Sequence, residues 1–137
     1  MTQTEWDERF SVAIPRLDQQ HRQIFELLGQ LRELNPGESD RLASGTLEKL
    51  LAYSEYHLRR EELILRVRGF PGYALHLAEH DEYRAKIAHL RETAVRTNRG
   101  IRIVNFLEGW WRNHILTSDR KYAEYFQDTA AAAPARP

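Results

Sequence analysis

The sequence predicts an all-α fold: an up-down-up-down four-helix bundle with an N-terminal arm and a short C-terminal extension. Long stretches repeat apolar residues every three or four positions, and none alternates in the manner of a strand. The breaks between them are few, short and rich in turn residues. Helices joined by such short connections pack side by side in alternating directions. The 137 residues fit one domain. Hydrophobic residues at 42% against 29% charged supply material for one core.

The arm, residues 1–16, carries Trp6, Phe10 and Pro15 and is expected to pack over the bundle. The first helix is predicted over 17–34, with Leu17, His21, Ile24, Phe25, Leu28 and Leu31 on one face. "NPGES" (35–39) marks a turn. The second helix, 40–68, presents Leu47, Leu50, Ser54, His57, Glu61 and Ile64. "GFPG" (69–72) is the next turn. The third, 73–96, presents Tyr73, His76, Leu77, His80, Tyr83, Ile87 and Leu90. "TNRG" (97–100) ends in a glycine that suits a helix C-terminus. The fourth, 101–127, presents Ile103, Phe106, Leu107, Trp110 and His114, then runs on through "DRKYAEYF" with an irregularity. Residues 128–137, which end "AAAAPARP", have no core-forming pattern and are expected to be a disordered tail.

The apolar stripes are interrupted by His21, His57, Glu61, His76, His80 and His114. Alone, an H-x₃-H pair is more often exposed than buried, and His57 with Glu61 would pass for a helix-surface pair. Together they are harder to dismiss, because all four helices turn such a residue toward the core. Burying them without partners would cost several kcal/mol per group at worst. A metal satisfies them jointly, because its charge compensates carboxylate and its bonds use the imidazole lone pairs. His89, nine residues after His80, falls half a rotation away and should face solvent. Five histidines and a glutamate exceed the four ligands of a structural zinc site. Imidazole with carboxylate suits iron, copper, zinc or nickel, and bundle interiors host two-metal carboxylate sites.

Composition narrows the setting. Lysine plus arginine and aspartate plus glutamate each total 20, which argues against nucleic acid or an anionic membrane as partner. No apolar run is long enough to span a bilayer, and none reads as a signal peptide. There is no cysteine, so disulfides, iron–sulfur clusters and thiolate zinc are excluded and the cytoplasm is the default expectation.

"LDQQHRQIF" (17–25), "HLRREE" (57–62), "HLAEH" (76–80) and "HILTSD" (114–119) together resemble the hemerythrins, in their single-domain bacterial form. The family pattern is a lone His, H-x₃-E, H-x₃-H and H-x₄-D, and all seven positions are filled in order. The resemblance implies two irons. His76, His80 and His114 would hold one and His21 and His57 the other, with Glu61, Asp119 and an oxo or hydroxo group bridging. Asp119 lies five residues after His114, about 140° away on an ideal helix, so a bulge or break near Thr117–Ser118 is expected. The two-histidine iron would be one ligand short, and in the family dioxygen binds there. Its pocket is expected from Ile24, Leu58, Trp110 and Trp111. Leu58 stands where phenylalanine is usual, Trp111 where leucine is usual and Ala13 where glycine is usual. The first two bear on pocket volume.

The resemblance implies reversible dioxygen binding for carriage, storage or delivery. Oxygen or redox sensing, iron storage, and peroxide or nitric oxide chemistry are the alternatives. Sensing usually involves a fused output domain, and none is expected here. No proton-delivering residue stands out beside the open position, so binding rather than enzymatic turnover is expected. The sequence names no protein partner, and a monomer is the working expectation.

Overall fold

The computed structural model of this protein describes residues 5–33, 40–93 and 99–132. Four helices form the bundle: α1 (Pro15–Glu33), α2 (Asp40–Val67), α3 (Tyr73–Thr93) and α4 (Arg99–His114). A five-residue π-helical turn, Ile115–Asp119, joins α4 to α5 (Arg120–Ala132). α1 packs on α2 and α4, and α3 packs on the same two helices. Among the described residues there is no strand, and no helix is long and apolar enough to cross a membrane.

Four points differ from the sequence expectation. α1 begins at Pro15, so Pro15 and Arg16 belong to the helix and not to the arm; proline suits a first helical position, where its missing N–H is not needed. α5 runs to Ala132, so residues 128–132 are helical rather than tail. Alanine is the best helix former, and lack of a core-facing pattern does not prevent a helix from continuing. Gly100 lies in the first turn of α4 instead of ending a helix. N–H groups there have no intrahelical partner in any case. Leu65, not Ile64, is the fully buried position late in α2. The turn "NPGES" and residues 94–98 lie outside the described residues.

"GFPG" builds the α2–α3 turn by a Schellman arrangement. Phe70 N–H donates to the Leu65 carbonyl at 2.9 Å and Gly69 N–H to that of Arg66 at 3.1 Å. Gly69 sits at φ 71°, which only glycine adopts without strain. Phe70 then lies against the rings of Tyr122, Tyr125 and Phe126, at centroid distances of 6.3, 5.6 and 6.1 Å.

The arm is tied down from its own sequence. Phe10 is fully buried and meets Phe25 edge-on at 5.0 Å, burial worth roughly 1.5–3 kcal/mol. Asp18, in the first turn of α1, accepts from the Ser11 hydroxyl at 2.7 Å and the Val12 N–H at 2.8 Å. Between these anchors Ala13 is forced to φ 58°.

The core has two apolar parts. One contains Ile24, Leu58, Trp111 and Ile115, the other Leu17, Leu65 and Tyr122. Along α1 the order is Leu17, His21, Ile24. Along α2 it is Leu58, Glu61, Leu65, and after α4 it is Ile115, Asp119, Tyr122. Each helix thus carries its polar residue between the two apolar parts.

Left-handed backbone costs a non-glycine residue about 1 kcal/mol. Ala13→Gly should therefore raise unfolding stability by up to ~1 kcal/mol in urea denaturation, without changing metal content. Equal or lower stability would show that the arm does not hold this turn.

Candidate metal centre

Every polar residue that the periodicity places on the apolar stripes is buried here. His21, His57, Glu61, His80 and Asp119 are wholly inaccessible, and His76 and His114 are 4% exposed. His89 is exposed and apart from them. The side chains form two groups that share Glu61: Glu61 with His76, His80 and His114, and Glu61 with His21 and His57.

The π turn explains how Asp119 joins them. In an α-helix its side chain would point about 140° away from that of His114. A π turn closes its hydrogen bonds over five residues instead of four. It spans Ile115–Asp119, the stretch where the irregularity is expected, and turns position 119 back onto the face of His114.

Both carboxylates are split between the groups. Glu61 Oε1 lies 2.6 Å from His76 Nε2 and 3.0 Å from His80 Nε2. Its Oε2 lies 3.4 Å from His57 Nε2. Asp119 Oδ1 lies 3.2 Å from His76 Nε2 and 3.1 Å from His114 Nε2, and its Oδ2 3.3 Å from His21 Nε2. His21 and His57 bring their Nε2 atoms within 2.9 Å, and His80 and His114 within 3.1 Å. Two ligand atoms each about 2.1 Å from one ion, at right angles, lie about 3 Å apart. These separations are those of neighbouring ligands on a shared ion. Both Asp119 oxygens are buried without a hydrogen-bond partner, a costly state for a carboxylate. The donor set fits a pair of cations.

Several supporting residues escaped the sequence reading. Gln20 Oε1 sits 2.7 Å from His57 Nδ1, and Glu62 Oε2 2.7 Å from His80 Nδ1. Glu79 Oε2 sits 3.3 Å from His114 Nδ1 and accepts from the Ser118 hydroxyl. Tyr122 donates its hydroxyl to Glu61 Oε2 at 2.9 Å. Such contacts fix each ring or carboxylate with its metal-facing atom inward. Gln20, Glu62 and Glu79 each directly neighbour a cluster residue in sequence, the one signal that pointed to them.

Ile24, Leu58 and Trp111 are fully buried in one apolar cluster. The Trp111 ring lies 5.5 Å from His57 and 6.3 Å from His21. Trp110 sits elsewhere: it stacks on His114 at 4.3 Å, interplanar angle 13°. It covers the three-histidine group and does not close the space over His21 and His57, because adjacent helix positions point about 100° apart. Trp111 Nε1 and Tyr83 Oη are buried without hydrogen-bond partners, and the two rings are 5.7 Å apart.

The cluster is electrostatically uneven. Burial opposes charge on Asp119, and Glu61 repels it, yet His114 and His21 hold its carboxyl well below the usual range. Glu61 is lowered too: burial opposes ionisation, but hydrogen bonds from His114, His57, His76 and His80 prevail. Burial would depress His76 and His114, but the two carboxylates raise them to about 9 and about 10. His57 is lowered, by burial and then by His21.

A raised imidazole stabilises the fold fully below its ordinary value of 6.5 and loses that contribution as pH climbs through 9 to 10. The carboxylates are ionised throughout this window and add no slope. Metal-free protein should therefore lose stability from pH 6.5 to 9. A divalent cation must displace those protons, so it binds more tightly as pH rises. The gap in Tm between metal-loaded and metal-free protein should widen over that range, and a constant gap in thermal unfolding would contradict the protonation described.

Residues 12–126 match the family described as the hemerythrin HHE cation binding domain. A bacteriohemerythrin of Clostridium acetobutylicum is 28% identical over 127 residues, covering 87% of this chain and 98% of that protein. A myohemerythrin of Sipunculus nudus is 30% identical over 117 residues, covering 85% and 88%. A hemerythrin-like protein of Naegleria gruberi is 27% identical, with the same coverage. With four helices converging on a buried histidine–carboxylate cluster and a family match over most of its length, this chain belongs to the hemerythrin family.

Proposed function

We propose that this protein binds dioxygen reversibly at a pair of non-haem irons, for carriage, storage or local delivery. His76, His80 and His114 would hold one iron and His21 and His57 the other. Glu61 and Asp119 would be shared, with an oxo or hydroxo group completing the bridge. The observation that carries this is the split of both carboxylates between a three-histidine and a two-histidine group. Two ferrous ions supply the affinity for dioxygen and its reversible reduction, chemistry that no side chain here offers.

The chain's own residues do the rest. Tyr122 holds Glu61 Oε2 toward the two-histidine side. Gln20 fixes the His57 ring with Nε2 inward. Leu58 and Trp111, both fully buried, keep water away from His21 and His57. A dry wall of this kind disfavours escape of a charged species and hence one-way oxidation. The names of the relatives, bacteriohemerythrin and myohemerythrin, support the same reading.

Protein loaded with iron anaerobically should hold two irons per chain, take up dioxygen and release it under vacuum through repeated cycles. Glu61→Ala, which removes the shared carboxylate, should lose iron, whereas His89→Ala should keep both. Full iron retention by Glu61→Ala in elemental analysis would overturn the assignment.

One observation favours a second reading, turnover of peroxide or nitric oxide. The Tyr83 hydroxyl is buried without a hydrogen-bond partner, and its ring lies 5.7 Å from that of Trp111, which lies 5.5 Å from that of His57. Under the binding reading, Tyr83→Phe leaves oxygen uptake and release unchanged. Consumption of peroxide by the wild type that this variant abolishes would mark turnover instead.

A further inference from the structure

The imidazoles of the cluster differ in what stands behind them. His80 Nδ1 faces the Glu62 carboxylate at 2.7 Å, and His114 Nδ1 faces Glu79 at 3.3 Å. On the other side, His57 Nδ1 faces the neutral amide of Gln20 at 2.7 Å, and His21 Nδ1 is buried with no partner. Carboxylates thus back two rings of the three-histidine group, His80 and His114, while an amide or nothing backs the two-histidine group.

The Glu62 contact extends outward. The oxygen that faces His80, Oε2, also accepts from Arg84 Nη2 at 2.8 Å. Arg84 is in turn held by Glu55, through Nε at 3.0 and 3.1 Å, and by Asp81, through Nη1 at 3.0 Å. The path runs from a wholly buried ring, through a 16%-exposed carboxylate, to a 26%-exposed guanidinium.

With Nε2 turned to a metal, a neutral imidazole carries its proton on Nδ1 and donates it to whatever lies behind. A carboxylate acceptor draws that proton and makes Nε2 a stronger electron donor, which favours the more highly charged ferric ion. A guanidinium on the same oxygen competes for its negative charge and weakens the effect.

We propose that Glu62 and Arg84 are a positioning pair that sets, through His80, the ferric–ferrous balance of the three-histidine iron. Glu62 pushes toward ferric, and Arg84 limits that push. The proposal rests on His80 being a ligand of one of two irons. It extends the asymmetry of the centre from ligand number to ligand strength.

The test is a double-mutant cycle on iron-loaded protein, read by mediated redox titration and by competition with an iron chelator. Glu62→Gln should raise the midpoint potential of one iron and weaken its binding by ~10–100-fold. Arg84→Gln should lower the potential and speed one-way oxidation in air. Arg84→Lys, which keeps a charged donor, should stay near wild type. The double variant should match Glu62→Gln alone, because Arg84 acts only through Glu62.

An Arg84→Gln shift that persists in full without Glu62 would mean a through-space charge effect and would overturn the proposal. So would shifts of the same sign in both single variants. Two irons in every variant with an unmoved potential overturns the pair alone. A wild type that does not hold two irons overturns the underlying ligand assignment, and the pair with it.

Discussion

Two carboxylates are buried in the middle of this bundle, and the rest of the structure is arranged around that fact. A lone buried carboxylate is among the most costly groups a core can contain. Glu61 and Asp119 are wholly inaccessible and lie among five imidazoles within 3.4 Å of one another's facing atoms. The imidazoles offset part of the cost, and a pair of cations would offset the remainder. The polar layer lies between the two apolar parts, so whatever cations it binds stabilise the folded bundle, and folding and metal affinity are coupled.

Backbone features follow from the same requirement. The π turn at Ile115–Asp119 gives up regular α-helical geometry to bring position 119 onto the face of His114. Such one-turn interruptions are frequent where function demands an off-register side chain. Close to that turn, Phe70 packs against the aromatic rings of α5 and so fixes the start of the helix that carries His76 and His80. Ser11, Val12 and Asp18 seat the arm over α1, at the price of a left-handed alanine.

Much of this was legible in the sequence. A histidine or glutamate on a stripe of leucines and isoleucines is visible from helical spacing, and five histidines and Glu61 are found that way. Asp119 is not, because an α-helical ruler points it elsewhere; the family resemblance supplied it and the π turn accounts for it. Trp110 and Trp111 show the limit of spacing. Adjacent in sequence, they cover different halves of the cluster, a distinction that needs side-chain direction as well as position. Gln20, Glu62, Glu79 and Tyr122 escaped because a polar residue near a helix edge looks solvated until its partner in another helix is known.

The central claim is that two unequal ions share Glu61 and Asp119. Anomalous diffraction at the iron edge from crystals of iron-loaded protein tests it most directly. The account predicts two peaks, one among His76, His80 and His114 and one beside His21 and His57, with an oxygen of each carboxylate directed at each peak. A single peak, or an Asp119 side chain turned away from both, would contradict it.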